Sequence, residues 1–452
     1  MLLAAGDRAG AISDILKRSA ESTEVRAADA SIMAIVSLRS QRITVYDAKG
    51  ETLRAPVSSG EKGRETPAGI FSVLQKDADH YSNLYDDAWM PHMQRLTWSG
   101  IALHGGPLPG YPASHGCVRM PYAFARSLFG STQLGMRVIV APHDVAPVEI
   151  AHPALFPARS EASALAAARA GEAEEAAKKA DQARLAAVMA SRETAKAMMA
   201  VRVAENLKAR AEEQLAAAEA TLSSATSAEA RAQAEDTKAK ALERIAALQV
   251  QWAAAKAELQ PKLDAVAPAR AAAVAAEAVW VAAAEAAQEA SRELEPVSMF
   301  VSRQSQRLYV RRAFEPIWES PVTILDADRP IGTHVFTAVA RTNSDAGMRW
   351  SAVTVDDGRP RAAMVETQSR ASGGRTREVA PIAIDPDIAK TALDRIVIPQ
   401  DATDRIAGML SPRSSLIISD EALSAETGKD TEFVVILSGE PQGGVKSRQR
   451  RQ

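Results

Sequence analysis

No glycine occurs between Gly171 and Gly332, and from about Ser160 to Glu295 the chain is alanine, charge and little else. "EASALAAARAGEAEEAAKKADQARLAAVMA" is representative. Alanine and long charged residues are the best helix formers, so this run predicts helix and little else. The stretch Thr221–Ser227, "TLSSATS", interrupts it, because Ser and Thr favour caps and turns. Pro261 and Pro268 add further breaks or kinks. About 60 helical residues before the first break would span about 90 Å at 1.5 Å each, and a similar length follows. The spacing predicts an antiparallel helical hairpin over 160–295, a coiled coil with its tip near 221–227. Its seam is expected to be mostly alanine, with Leu165, Leu185, Met189, Leu207, Leu215, Leu242, Ile245, Leu248 and Trp252. Such a seam buries little area per turn, so the hairpin is marginal alone. Nothing in the sequence names a partner for it.

The flanks have a different texture, and 452 residues call for several domains. Residues 1–29 hold one amphipathic helical segment, through Ile12, Ile15 and Leu16. From 30 to 148 apolar and polar residues alternate as in strands, with "DAKG" (Asp47–Gly50) as a hairpin turn. Residues 149–159 read as a proline-rich linker, with Pro153 and Pro157 following Pro142 and Pro147. Residues 296–440 return to strand-like texture and repeat the first β-rich segment. Ser37–Asp47 resembles Ser302–Arg312, and Glu65–Val73 resembles Arg329–Val339. Leu96–Gly106 resembles Met348–Gly358, and Gly135–Asp144 resembles Arg413–Ala422. In this matching His104 meets Asp356, and the stretch around Cys117 has no counterpart. Residues 441–452 form a basic tail expected to be disordered. The fold class is therefore multidomain: a mostly-β, sandwich-like domain with short helices, a long helical hairpin, and a second, degenerate β-rich copy.

Charges nearly cancel, 54 basic against 56 acidic residues, which gives no footprint for nucleic acid. No run of about 20 apolar residues suggests a membrane span. "MLLAAGDRAG" lacks the basic start of an export signal.

Cys117 is the only cysteine. A thiol attacks as thiolate and needs a base or cation nearby, for which His104 and His115 are the candidates. His104 ends the apolar run "GIALHGG", which reads as a buried strand delivering a side chain at its tip. The loop to Cys117 is long enough to fold back on it. Gly116 and Cys117 amides are placed to meet an oxyanion if Cys117 opens a helix, and Met120–Gly130 reads as one. Other readings stand beside this: an inert core thiol, or a zinc site from His104, His115 and Cys117 with His80 or His92.

"LHGG…PASHGCVRM" resembles the signature of L,D-transpeptidase (YkuD-like) catalytic domains. "TPAGIF" (Thr66–Phe71) and "WMPHMQRLTW" (Trp89–Trp98) fit the run-up. The resemblance covers about 31–140. It implies Cys117 as nucleophile and His104 as base, with the Gly105 carbonyl orienting the histidine. His115, Ser114 and Gly116 would hold the cysteine loop, and Arg119 would order the site or meet a substrate carboxylate. Trp98, Tyr111 and His92 are candidates for a substrate cleft. The implied reaction is acyl transfer on peptidoglycan stem peptides through a thioester. It implies no metal or organic cofactor, and the bacterial periplasm or envelope as location. Two other functions stay open: an L,D-carboxypeptidase, with water as acceptor, and a structural protein whose hairpin is the working part. The second copy, without cysteine, cannot do the same chemistry.

Overall fold

A computed structural model describes residues 31–82, 87–157, 161–342, 347–356, 385–428 and 430–442. The N-terminal helical segment expected over 1–29 and nearly all of the basic tail lie outside the described residues. The chain divides into two compact units. One joins residues 1–162 to 293–452, and the other is 163–292.

In the first unit the chain runs β1 (Met33–Ser37), β2 (Arg42–Asp47), β3 (Gly50–Pro56), β4 (Gly69–Ser72), β5 (Gln75–Tyr81), β6 (Trp89–Arg95), β7 (Ala102–Gly105), β8 (Val118–Met120), α1 (Tyr122–Ser131), β9 (Arg137–Ala141) and β10 (Val148–Ile150). After α2 (Glu161–Ser224) and α3 (Ala228–Glu293) it continues as β11 (Val297–Ser302), β12 (Arg307–Arg312), β13 (Glu315–Pro321), β14 (Thr323–Ile324), β15 (Thr333–Arg341) and β16 (Met348–Asp356). It ends in α4 (Pro386–Asp394), β17 (Ile396–Val397), α5 (Gln400–Met409), β18 (Ser415–Ser419) and β19 (Val435–Ile436).

The two β-rich segments are interlocked rather than separate. One sheet has the order β19-β4-β9-β1-β2-β3, the other β10-β16-β15-β18-β11-β12-β13. Each takes an edge strand from the opposite segment: Val435 pairs with Ile70, and Glu149 pairs with Ser351. The proline-rich linker is thus structured. Val148–Ile150 is a strand, and Leu155 and Phe156 enter the second core. Proline density marks an extended backbone, and an extended backbone can still pair.

Alternation explains why β1 and β9 are buried along their whole length. Ala34, Val36, Val138 and Val140 face the core that holds β7, β8 and α1. Met33, Ile35, Ile70 and Ile139 face Phe300, Val335, Ile417 and Phe433 of the second sheet. Continuous apolar runs such as "RVIVA" are the mark of strands covered on both faces. Arg137 lies buried in this seam. Its guanidinium donates to Ser72 Oγ (2.8 Å), Ser298 Oγ (3.2 Å) and Ser415 Oγ (2.8 Å).

The two sheets share an inner order, β4-β9-β1-β2-β3 against β15-β18-β11-β12-β13, with one parallel pair in each. Ser37 pairs with Arg42 as Ser302 pairs with Arg307. A bulge falls at Val45/Tyr46 and at Val310/Arg311. α1 and α5 are both 10-residue helices capped by proline, Pro121 and Pro399. Each precedes a left-handed residue, Gly135 (φ 81°) or Arg413 (φ 75°).

These anchors correct the sequence matching in two places. β16 returns on β15 as β6 returns on β5, whereas β7 belongs to the separate sheet β5-β6-β7-β8. Leu96–Gly106 therefore does not match Met348–Gly358, nor His104 Asp356. The pairing next to Cys117 has a parallel in the second β-rich segment. Ser58 bridges Arg119 just before α1, and Thr323 pairs with Val397 just before α5. Two residues upstream of these partners stand Cys117 and Arg395. Arg395 donates to the carbonyls of Leu325 (3.1 Å), Pro330 (2.7 Å), Asp326 (2.7 Å) and Arg329 (2.8 Å). It ties down the loop that precedes β15. Arg395→Ala is expected to lower stability by about 2 kcal/mol, the worth of a charged hydrogen-bond donor, as a shift in the urea midpoint at unchanged slope.

In the second unit α2 and α3 are antiparallel. Lys238 meets Glu219, Trp252 meets Glu205, and Arg184 meets Glu277, one partner descending as the other ascends. The tip is narrower than expected, 225–227, since Thr221–Ser224 stay helical. α3 also runs unbroken through Pro261 and Pro268. Both prolines are exposed, as are Ala257 and Asp264, whose carbonyls lose their helical donors and can turn to water. The seam follows a heptad of small residues: Ala173, Ala180, Ala187, Thr194 and Val201, with Ala176, Ala197, Ala204, Ala211 and Ala218. Leu165, Leu185, Met189, Leu207 and Leu242 are exposed instead. The seam is mostly alanine, as expected, and Leu248 is buried in it. One stretch of α3 is long and apolar enough, by length and composition alone, to cross a membrane.

Candidate active site

β7 delivers His104 and β8 begins at the residue after Cys117. The two strands are parallel, with Leu103 beside Val118 and His104 beside Arg119. Residues two apart share a face, so Cys117 lies on the face of His104 and Arg119. The loop between them is clamped from below. Ser59 O accepts from Ala113 N and Ser114 N, both at 3.0 Å. Thr66 Oγ1 donates to Gly116 O (2.8 Å) and accepts from Gly60 N (2.9 Å). Ser114 Oγ donates to the Cys117 carbonyl and accepts from Gly116 N at 3.2 Å. Gly116 has φ +116°, and a Cβ there would stand 2.9 Å from Ile101 Cδ1. Only glycine fits the turn that presents the thiol.

His104 is 7% exposed and its Nδ1 lies 2.9 Å from Gly105 O. A carbonyl only accepts, so Nδ1 carries the proton and Nε2 keeps its lone pair. Burial lowers the His104 pKa to about 4; the Gly105 hydrogen bond opposes this, and Arg119 and His80 add to it. Burial raises the Cys117 thiol, opposed by the Ala102 amide and by the charges of Arg95 and Arg119. Cys117 is a part-exposed residue that packs against Met90, Met93 and Ala102, with Sγ donating to Gly100 O at 3.4 Å. At neutral pH the pair rests as thiol and imidazole, an acid beside an unprotonated base.

The His104 shift also sets a stability trend. Its folded pKa is below the ordinary 6.5, so the unfolded chain binds the extra proton first. This contribution is complete above pH 6.5 and falls by about 3 kcal/mol as pH drops to about 4. Urea titrations from pH 7 to 4 should show the loss, and His104→Gln should flatten that part of the curve.

The structure brings together Cys117, His104, Gly105, Ser114, Gly116 and Arg119. His115 is exposed, with Nε2 3.9 Å from Glu61 Oε1. Trp98 and Tyr111 are exposed on the loops either side of β7. His92 is not with them: it packs against Phe129 of α1, ring centroids 5.5 Å apart. Strand alternation puts it opposite Met93 and Arg95. Cys117 leads into a strand rather than a helix, so no helix N-terminus serves the oxyanion. Gly116 N is engaged with Ser114 Oγ. Among the described residues no three His, Cys, Asp or Glu side chains converge as metal ligands. Sequence reasoning missed Thr66 and Gly60 beneath the loop, and Arg95 beside the thiol. "TPAGIF" carried a signal for the first, and the odd positions of "WMPHMQR" for the last.

Residues 31–140 match the family model of the L,D-transpeptidase catalytic domain (YkuD). Among solved structures, an L,D-transpeptidase from Mycobacterium smegmatis is 23% identical, over 24% of this chain and 58% of that one, with a TM-score of 0.23. One from Stackebrandtia nassauensis is 24% identical, over 28% and 64%, with a TM-score of 0.24. One from Xylanimonas cellulosilytica is 26% identical, over 25% and 62%, with a TM-score of 0.23. The chain thus spans less than two thirds of each. No curated protein matches it. The segment 31–140 is an L,D-transpeptidase-family domain within a longer chain.

Proposed function

We propose that this protein is a cysteine-dependent L,D-transpeptidase acting on peptidoglycan stem peptides in the bacterial envelope. The observation that carries the reading is the shared face of Cys117 and His104, with the histidine's tautomer held by Gly105 O. In this reading His104 Nε2 takes the thiol proton as Sγ attacks the carbonyl of the stem's third residue. The carbon–nitrogen bond breaks, and the same proton passes to the departing D-amino acid. An acceptor amine, deprotonated by His104, resolves the thioester; water in its place gives carboxypeptidase activity. Turnover requires neutral His104, so kcat/KM should keep its acid limb near pH 4 rather than 6.5, read from a pH–rate profile on a tetrapeptide stem.

We further propose that the second sheet is a duplicate of the first. The matched pairings, bulges and proline-capped helices support this. Arg395 stands where the duplicate would need its thiol, and its four carbonyl partners fill that place. The duplicate then serves the first sheet by supplying β19 and covering its outer face. The length of the α2–α3 hairpin supports a spacer role. Separation of the reaction products of wild type and Cys117→Ala on isolated muropeptides tests the enzyme reading.

A further inference from the structure

Arg95 pairs with Ala102 across β6 and β7, and Leu103 pairs with Val118 across β7 and β8. Ala102 therefore stands beside Cys117. Arg95, Ala102 and Cys117 form a row on one face of the sheet, its ends two strand spacings, about 9.5 Å, apart. The middle residue has only a methyl group, and Met90 and Met93 pack with it against Cys117. Arg95 and Cys117 are close enough to couple electrostatically. The arginine is held from behind: Nε donates to Gln75 Oε1 at 2.8 Å, and the guanidinium lies 5.6 Å from the Trp98 ring. Its two Nη groups make no hydrogen bond among the described residues. Arg119, two residues after Cys117 on the same face, also couples to the thiol, but its stem packs over Gly106, beyond His104 along β7. A braced guanidinium with open Nη donors beside a nucleophile suits a carboxylate.

We propose that Arg95 is the carboxylate anchor of the site, holding the terminal α-carboxylate of the residue that Cys117 expels; this rests on the acyl-transfer reading above. In a tetrapeptide stem that carboxylate lies one residue, about 3.5 Å, beyond the scissile carbonyl. Binding it would hold the bond over Sγ and select stems that end there. The anchor forms no covalent bond. Sulfur attacks, the amine leaves with the proton from His104, and the carboxylate stays ionised throughout.

Two measurements on the full chain test this. The first is independent of transpeptidation and uses the single cysteine. Iodoacetate and iodoacetamide alkylate the same sulfur, but only iodoacetate has a carboxylate. The ratio of their rates at Cys117 should fall about tenfold in Arg95→Gln, and stay within about threefold of wild type in Arg95→Lys. An unchanged ratio in Arg95→Gln, with a melt like wild type, overturns the anchor, as does a fall confined to Arg119→Gln. Equal slowing of both reagents would assign Arg95 to thiolate formation instead, and also overturns it. The second compares donor stems ending in a free carboxylate or a primary amide. Wild type should prefer the carboxylate by about tenfold or more in kcat/KM, and Arg95→Gln should erase the preference. Wild type that alkylates with the expected ratio yet turns over no stem would sink the transpeptidase reading and leave the anchor standing.

Discussion

A fragment of residues 31–140 alone is expected to show no cooperative melt and no activity, although it spans the whole family match. Its sheet would lose β19 from the edge of β4. Met33, Ile35, Ile70 and Ile139 would lose their cover of Phe300, Val335, Ile417 and Phe433. Each large apolar side chain so exposed forfeits about 1.5–3 kcal/mol, and four of them approach the whole stability of a typical domain. Arg137 would lose Ser298 and Ser415 as acceptors and be left with Ser72 alone. A chain that joins 31–162 to 293–442 by a short flexible linker keeps all of these contacts. It should melt cooperatively and retain turnover. Circular dichroism melts of the two proteins decide the point: a folded, active 31–140 fragment would contradict the interlocked sheets.

The second large effect is at the thiol. Cys117→Ala should lower kcat on a tetrapeptide stem by at least about 10⁴-fold, since no other nucleophile is available to form the thioester. The fold should tolerate the change, because the thiol donates only a long hydrogen bond, to Gly100 O, and alanine keeps the small volume. Cys117→Ser should be almost as inactive. A hydroxyl is a far weaker acid than a thiol, and His104, with its pKa lowered to about 4, is a weak base for it. Stopped assays by product separation, with melts alongside, distinguish lost chemistry from lost folding.

What the sequence disclosed and concealed follows from the range of each interaction. The hairpin was legible because helix propensity is local and the alanine run is long. A seam of mostly alanine was legible too, as was Leu248 within it, but Leu165, Leu185, Met189, Leu207 and Leu242 lie off the phase that Ala173, Ala180 and Ala187 set. The shared face of Cys117 and His104 could be anticipated from short motifs, and Asp47–Gly50 was legible from its turn chemistry: Asp47 Oδ1 accepts from Lys49 N and Gly50 N. The strand exchange was not legible. "FVVIL" reads as a strand, but nothing near it in sequence says that Val435 pairs with Ile70. The parallel between the two β-rich segments near Cys117 was not legible, because the stretches share little beyond Pro121 and Pro399 and the buried Leu128 and Ile406. Arg95 was missed for a related reason. Its approach to Cys117 crosses two strand pairings, and neither is visible in one dimension.

The most direct test of the enzyme reading is mass spectrometry of muropeptides after incubation with wild type and with Cys117→Ala. Wild type should convert tetrapeptide stems into cross-linked, exchanged or trimmed products, and should carry a transient acyl mass on the peptide containing Cys117. Cys117→Ala should give neither. Equal products from the two proteins, or no product and no acyl mass from wild type, would contradict the assignment of Cys117 as the nucleophile of an acyl transfer.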